Sequence, residues 1–190
     1  MKRYIYKQLL AWKNEKEHKP LILNGARQVG KTYILREFGR NEYKRMAFFS
    51  LDRDQKALEI FNKGGRATDM LMALSAICHE DITPHDTLVV LDEIQNCPKA
   101  LEALKFFCEE TPEIDIVVAG SLLGLSIHSG VSYPVGKVEE LHLYPMTFLE
   151  FLEAMGKTQL VNLLENKNWT VINMLETELI SSLRQYYYVG

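Results

Sequence analysis

Apolar residues along this chain fall into runs of two kinds. The first kind is continuous or nearly so: Leu21-Ile22-Leu23 behind Pro20, Met46 to Leu51 with one break at Ser50, Leu88-Val89-Val90-Leu91, and Ile114 to Ala119 with one break at Asp115. Short runs of this kind, rich in branched side chains, predict strands buried on both faces, as in a parallel sheet. The second kind recurs at spacings of three and four: Tyr4, Ile5, Leu9, Leu10 and Trp12; Ile34, Leu35 and Phe38; Leu58 and Phe61; Met70, Leu71, Leu74, Ile77 and Cys78; Leu101, Leu104 and Cys108. These predict amphipathic helices packed as core. Punctuation agrees, with Gly39 and Gly64-Gly65 at helix stops, Asp54 as a cap and Pro98 in a first turn. Strand and helix alternate, which is the pattern of an α/β fold.

The later chain changes character. Leu122 to Pro134 carries Gly124, Gly130 and Pro134 and reads as a turn-rich, mobile connection. Lys137 to Leu143 reads as a last strand, with Val138, Leu141 and Leu143 set among Glu139, Glu140 and His142. Thr147-Phe148-Leu149-Glu150 has the T-x-x-E form of a capping box and opens a helix bearing Phe151, Leu152 and Met155, stopped at Gly156. Two further helical stretches are expected, around Leu160 to Leu164 and Ile172 to Leu183. The organisation expected is an α/β domain over residues 1–145 and a helical appendage over 146–190.

Between the first strand and its helix lies Gly25-Ala26-Arg27-Gln28-Val29-Gly30-Lys31-Thr32, a match to G-x-x-x-x-G-K-[ST]. Glycines at these places let successive backbone N–H groups turn into one concavity that holds phosphate, while Lys31 reaches the terminal phosphates and Thr32 offers a hydroxyl to Mg²⁺. The following helix aims its unpaired N–H groups at the same anion. Strand, glycine loop, helix is the order this chemistry requires.

The run Leu88 to Leu91 closes on Asp92-Glu93. A strand buried on both faces carries acids only at its carboxyl end, where an open parallel sheet places its ligand crevice. This is the form of a Walker B element, in which Asp92 holds the Mg²⁺ shell and Glu93 orients and deprotonates the attacking water. A second acid favours hydrolysis over transfer to a metabolite, because a water nucleophile needs its own base. Ser121 ends the next buried strand and is the candidate sensor of the γ-phosphate; a serine that merely caps the following turn is the competing reading.

Composition narrows the classes. The 22 basic and 25 acidic residues leave a net charge of -3, which gives no support for a nucleic-acid coat or a polybasic membrane contact. No apolar run approaches a membrane span and the first 20 residues lack a signal core, so a soluble, cytoplasmic protein without a membrane partner is expected. Cys78, Cys97 and Cys108 have no C-x-x-C spacing, and the five histidines no metal-ligand spacing, so packing or surface roles are expected for them.

The strings NGARQVGKT, LDEIQ, AGSLLG and HLYPMTFLEFL, in this order over nearly the whole chain, resemble a family of prokaryotic AAA-type P-loop ATPases. In that family the nucleotide module is usually followed by a nuclease-like C-terminal domain. The resemblance implies a three-layer P-loop NTPase sandwich with a five-stranded parallel sheet in the order 5-1-4-3-2. It also implies ATP and Mg²⁺ as ligands, and ATP hydrolysis that drives a switch or motor for an attached domain or partner. Gly25 to Thr32 match the nucleotide-binding loop, Asp92 and Glu93 the paired acids, and Ser121 the sensor. A homo-oligomer, and a nucleic acid or protein reached through the further domain, are the partners it suggests.

Two departures from the family stand out. Gly136-Lys137 replaces a glycine-arginine, so a trans-acting arginine cannot be assigned there; Arg66 is a candidate only by availability. The chain ends on Tyr186-Tyr187-Tyr188-Val189-Gly190, which reads as truncation before the further domain. Three alternatives remain: a nucleotide-binding scaffold with little hydrolysis, a small-molecule kinase, for which no arginine-bearing lid is evident, and a GTPase, for which no N-K-x-D base reader is present.

Overall fold

The computed structural model describes residues 3–121 and 133–189. Helix α1 (Ile5–Asn14) leads into β1 (Leu21–Asn24), and the glycine loop joins β1 to α2 (Lys31–Glu42). Then come β2 (Arg45–Ser50), α3 (Gln55–Lys63), α4 (Ala67–Cys78), β3 (Thr87–Asp92), a 3₁₀ turn (Ile94–Asn96), α5 (Pro98–Glu110), β4 (Asp115–Gly120) and β5 (Glu139–His142). Four helices follow: α6 (Phe148–Ala154), α7 (Thr158–Glu165), α8 (Trp169–Met174) and α9 (Glu176–Val189).

All five strands are parallel, in the order β2-β3-β4-β1-β5, which is the expected order read from the opposite edge. Successive side chains alternate between two cores. Leu21, Leu23, Leu88, Val90, Val117 and Ala119 pack with α1 and α2 through Leu9, Trp12, Leu35 and Phe38. Ile22, Ala47, Phe49, Val89, Leu91 and Val118 pack with α3, α4 and α5 through Phe61, Leu74, Leu104 and Phe107. The central strands β3 and β4 are buried at every position, which is why their apolar runs are unbroken. The edge strand β5 is buried at no position and alternates half-buried with exposed residues, so it tolerates Glu139, Glu140 and His142.

Some local expectations need correction. Asp54 stands at the N-cap of α3, but its Oδ2 accepts from Ser50 N at 2.6 Å instead of from the helix. The stretch Ile172 to Leu183 is two helices, broken at Leu175, with Asn168 capping α8 by accepting from Val171 N. Of the three tyrosines, Tyr186 is tucked in: its hydroxyl donates to Met146 O at 2.6 Å and its ring meets Phe148 and Phe151. Tyr187 and Tyr188 are exposed. Of the connection expected between Leu122 and Pro134, residues 122–132 lie outside the described residues. No helix among the described residues is long and apolar enough to cross a membrane.

Candidate functional site

Because β4 and β1 adjoin and β3 is the next strand along, the carboxyl ends of these three strands open side by side. The glycine loop leaves β1 there. Gln28 (φ 65°) and Gly30 (φ 95°) are both left-handed, with Val29 between them. Alternation of this sort turns neighbouring N–H groups toward one side, the geometry of an anion nest. Gly25 is fixed by space instead: a Cβ there would collide with the carbonyl oxygen of Leu143, just past β5.

Lys31 is the first residue of α2 and is buried. Its Nζ donates to the carbonyls of Gly25 (2.8 Å) and Ala26 (2.7 Å), so the ammonium lies across the mouth of the loop. Burial pulls its pKa below the ordinary lysine value, while the charges of Glu93 and Asp92 oppose that shift. Thr32 Oγ1 donates to Asp92 Oδ2 at 2.6 Å across the gap between α2 and β3, and Asp92 Oδ1 accepts from Glu93 N at 3.0 Å. Asp92 is buried; Glu93 is half-buried and left-handed at φ 56°. The structure therefore brings Lys31, Thr32, Asp92 and Glu93 together.

Two features differ in detail. Gln95, read from the sequence only as part of a cap, donates from Nε2 to Glu93 Oε2, while its own Oε1 is buried and unpartnered. Gly120 makes room for it, since a Cβ at that position would come within 2.9 Å of Gln95 Oε1. Ser121 directly follows β4, and its Oγ is buried without a partner. Arg66 and Lys137 are both paired at the surface, with Asp69 (3.1 Å) and Glu109 (2.9 Å).

A cavity of about 720 Å³ flanks the outer side of the loop, walled by Gln28, Val29, Tyr33, Pro145, Met146 and Arg3. Its size falls in the range of small-ligand sites. Nothing in the sequence pattern singles out Arg3; its partner Glu150 lies 147 positions away, and a capping box already accounts for that acid.

Sequence comparison matches an AAA domain over residues 17–152, a span that holds the whole sheet and both strings of the site. The chain belongs to the AAA domain family. A search of curated proteins gives no match. Among solved structures, this AAA domain is similar to the Walker-type ATPase of Pyrococcus abyssi, at 19% identity and TM-score 0.52, covering 80% of this chain and 57% of that one. It is also similar to the Aeropyrum pernix ORC1 protein in complex with DNA (17% identity, TM-score 0.53, covering 83% and 50%). The third likeness is to Drosophila ORC bound to DNA (14% identity, TM-score 0.51, covering 90% and 47%). The chain thus spans between 47% and 57% of the length of these structures, and at such identities the likeness is one of fold.

Family and fold make this a nucleotide-binding module of the ATPase class. The side chains present fit its usual ligands. A left-handed loop, a buried ammonium, a hydroxyl hydrogen-bonded to a buried carboxylate, and an orphaned buried hydroxyl at Ser121 are donors suited to a polyphosphate and a hard cation. Among the described residues no group of three or more His, Cys, Asp or Glu could hold a metal by itself, and Mg²⁺ characteristically takes few protein ligands and completes its shell with phosphate and water.

Proposed function

We propose that this AAA domain binds ATP with Mg²⁺ and hydrolyses it, working as a switch or motor for an attached domain or partner. The observation that carries the reading is the 2.6 Å hydrogen bond from Thr32 to Asp92, which brings two hard oxygen donors from distant segments to one point beside a phosphate-type loop. Thr32 and Asp92 would hold the cation, which when bound draws charge from the phosphates. The N–H groups of Gly25 to Thr32, with Ala26, Arg27, Gln28 and Val29 supplying the turn, cradle the phosphates, and Lys31 exchanges its loop carbonyls for phosphate oxygen.

Glu93 acts as the base. It accepts a proton from a water whose oxygen bonds to the γ-phosphorus, while the bond to the β–γ bridging oxygen breaks and ADP leaves with that electron pair. Ser121 is available to donate to the γ-phosphate through its unpartnered hydroxyl. The nucleoside occupies the cavity between the loop and Met146. Residues 1–145 form the ATPase unit and the helices after it respond to nucleotide. The DNA-bound neighbours support a nucleic acid as one candidate partner; a second copy of the chain is the other partner proposed.

The deciding experiment pairs turnover with binding. Mg²⁺-dependent ATP hydrolysis is expected in the wild type and lost in Glu93→Gln with ATP binding retained, while a folded Lys31→Ala should lose binding; undiminished binding by that variant would refute the site. A second reading, a scaffold that binds ATP and hydrolyses little, is favoured by the contact of Gln95 with Glu93, which occupies one oxygen of the base. Equal, minimal turnover in wild type and Glu93→Gln, with tight binding in both, would establish it.

A further inference from the structure

Arg3 is 5% and Glu150 4% exposed in their side chains, an ion pair at 3.1 Å taken almost wholly out of water. Such a pair is costly unless its remaining hydrogen-bonding capacity is met. Here it is met by the Thr147 hydroxyl, at 3.2 Å from Glu150 Oε2, and by backbone groups of Tyr4, Val29, Tyr144 and Thr147. Glu150 Oε1 accepts from Arg3 Nε and also from Tyr4 N at 2.8 Å; Oε2 accepts from Thr147 N at 2.8 Å, closing the capping box of α6. Arg3 Nη2 donates to Tyr144 O at 2.7 Å, in the connection between β5 and α6. Its Nη1 donates to Val29 O at 3.2 Å, inside the glycine loop.

That last contact sets the pair apart from an ordinary staple. Val29 lies between the two left-handed residues of the loop, so N–H groups turned toward the anion leave carbonyls turned to the back. A carbonyl there needs a donor. Arg3 supplies it, and the same planar guanidinium is committed to Tyr144 and Glu150.

We propose that Arg3 and Glu150 are positioning residues of the nucleotide site, fixing the back of the phosphate loop and coupling its occupancy to the seating of α6 and the helices behind it. The inference rests on the functional reading above. Three contacts from one rigid fork cannot be kept if Val29 moves and Tyr144 does not, so the loop and the start of α6 move as a unit. Lysine would keep the charge beside Glu150 but not the fork.

The test uses the whole chain, a non-hydrolysable ATP analogue with Mg²⁺, and the variants Arg3→Lys, Arg3→Gln and Glu150→Gln, each checked for fold by circular dichroism. Binding is followed by calorimetry and seating by hydrogen exchange at residues 148–154 with and without analogue. Coupled sites typically shift affinity by about 5- to 150-fold; about tenfold weaker binding is expected in Arg3→Gln and Glu150→Gln. The slowing of exchange in α6 that the analogue causes in the wild type should disappear, and in Arg3→Lys too, although that variant keeps the ion pair and is the one expected to stay folded. Folded Arg3→Lys with wild-type affinity and wild-type slowing overturns the proposal and leaves the pair a staple. A wild type that binds no analogue overturns the functional reading itself, and is seen before any variant is compared.

Discussion

An alanine at position 25 would drive its Cβ into the Leu143 carbonyl and to within 3.2 Å of Val29 Cγ2, whereas one at position 30 would find its nearest neighbour, Arg3 Nη1, at 3.9 Å. The two glycines of the loop are thus held by different causes. Gly30 is required by its backbone, left-handed at φ 95°, and Gly25 by the approach of β5. Gly30→Ala should cost about 1–2 kcal/mol, the strain of a left-handed non-glycine residue. Gly25→Ala must part β1 from the end of β5, and overpacking of this kind costs about 1–3 kcal/mol. Urea midpoints will report both losses. Exchange at the amides of β5 separates them, since only Gly25→Ala should speed it. The pattern G-x-x-x-x-G-K-[ST] made the glycines legible in sequence but not this difference, because Leu143 is more than a hundred residues distant. Arg3 was hidden for the same reason. A single arginine near a chain start carries no local signal, and Glu150 had a sufficient local explanation as a cap.

At the scale of elements, the ends of the sheet opposite the site are tied by a different polar pair. His18, in the segment before β1, has both ring nitrogens against acceptors: Nδ1 at 2.9 Å from Glu15 O and Nε2 at 2.9 Å from Asp115 Oδ1, at the start of β4. A carbonyl and a carboxylate can only accept, so the doubly protonated ring satisfies both. The hydrogen bond to Asp115 raises the His18 pKa, burial opposes it, and Glu15 O and the charge of Glu139 add to the rise. A raised folded pKa means that the native chain holds the proton more tightly than the unfolded one, so stability falls as pH rises between the two values. The contribution of this pair should be complete below about pH 6.5, the unfolded value, and gone above the raised folded value. His18→Asn should flatten that part of the curve, which melting temperatures between pH 5.5 and 8.5 will show. Elements with a strong pattern were legible here: the unbroken runs of β3 and β4 and the T-x-x-E start of α6 appear where they were expected. The break between α8 and α9 was not, since Leu175 carries no glycine or proline and the apolar positions run on across it.

For the whole molecule, the strand order matters most, and periodicity alone could not give it; the ordered family strings did. With β4 and β1 between β3 and β5, the loop, the two acids and Ser121 share one edge, and the question becomes what else that edge needs. Phosphoryl transfer in this class gains about 10³ to 10⁵ in rate from an arginine that meets the transition-state charge. Among the described residues Arg3 is held by a buried pair with Glu150, while Arg45, Arg53 and Arg66 make more exposed pairs with Asp81, Asp52 and Asp69. Arg36 lies over the Phe48 ring at 3.9 Å. Lys31 feels the charges of Asp92 and Glu93, and the proposed function assigns it to the phosphates. Under the proposed function we predict that a neighbouring subunit supplies this charge: the exposed pairs Arg66–Asp69 and Lys137–Glu109 can release their cations at little cost, since surface ion pairs are worth about 0–1 kcal/mol. Turnover per subunit should then be slow in dilute solution and climb with protein concentration. Arg66→Ala and Lys137→Ala, each mixed with Glu93→Gln subunits, identify the donor: a subunit that lacks its own base but keeps its cation should restore the rate of a neighbour that lacks only the cation. A rate per subunit that stays flat with concentration, with hydrolysis still abolished by Glu93→Gln, would mean that each chain completes its own site.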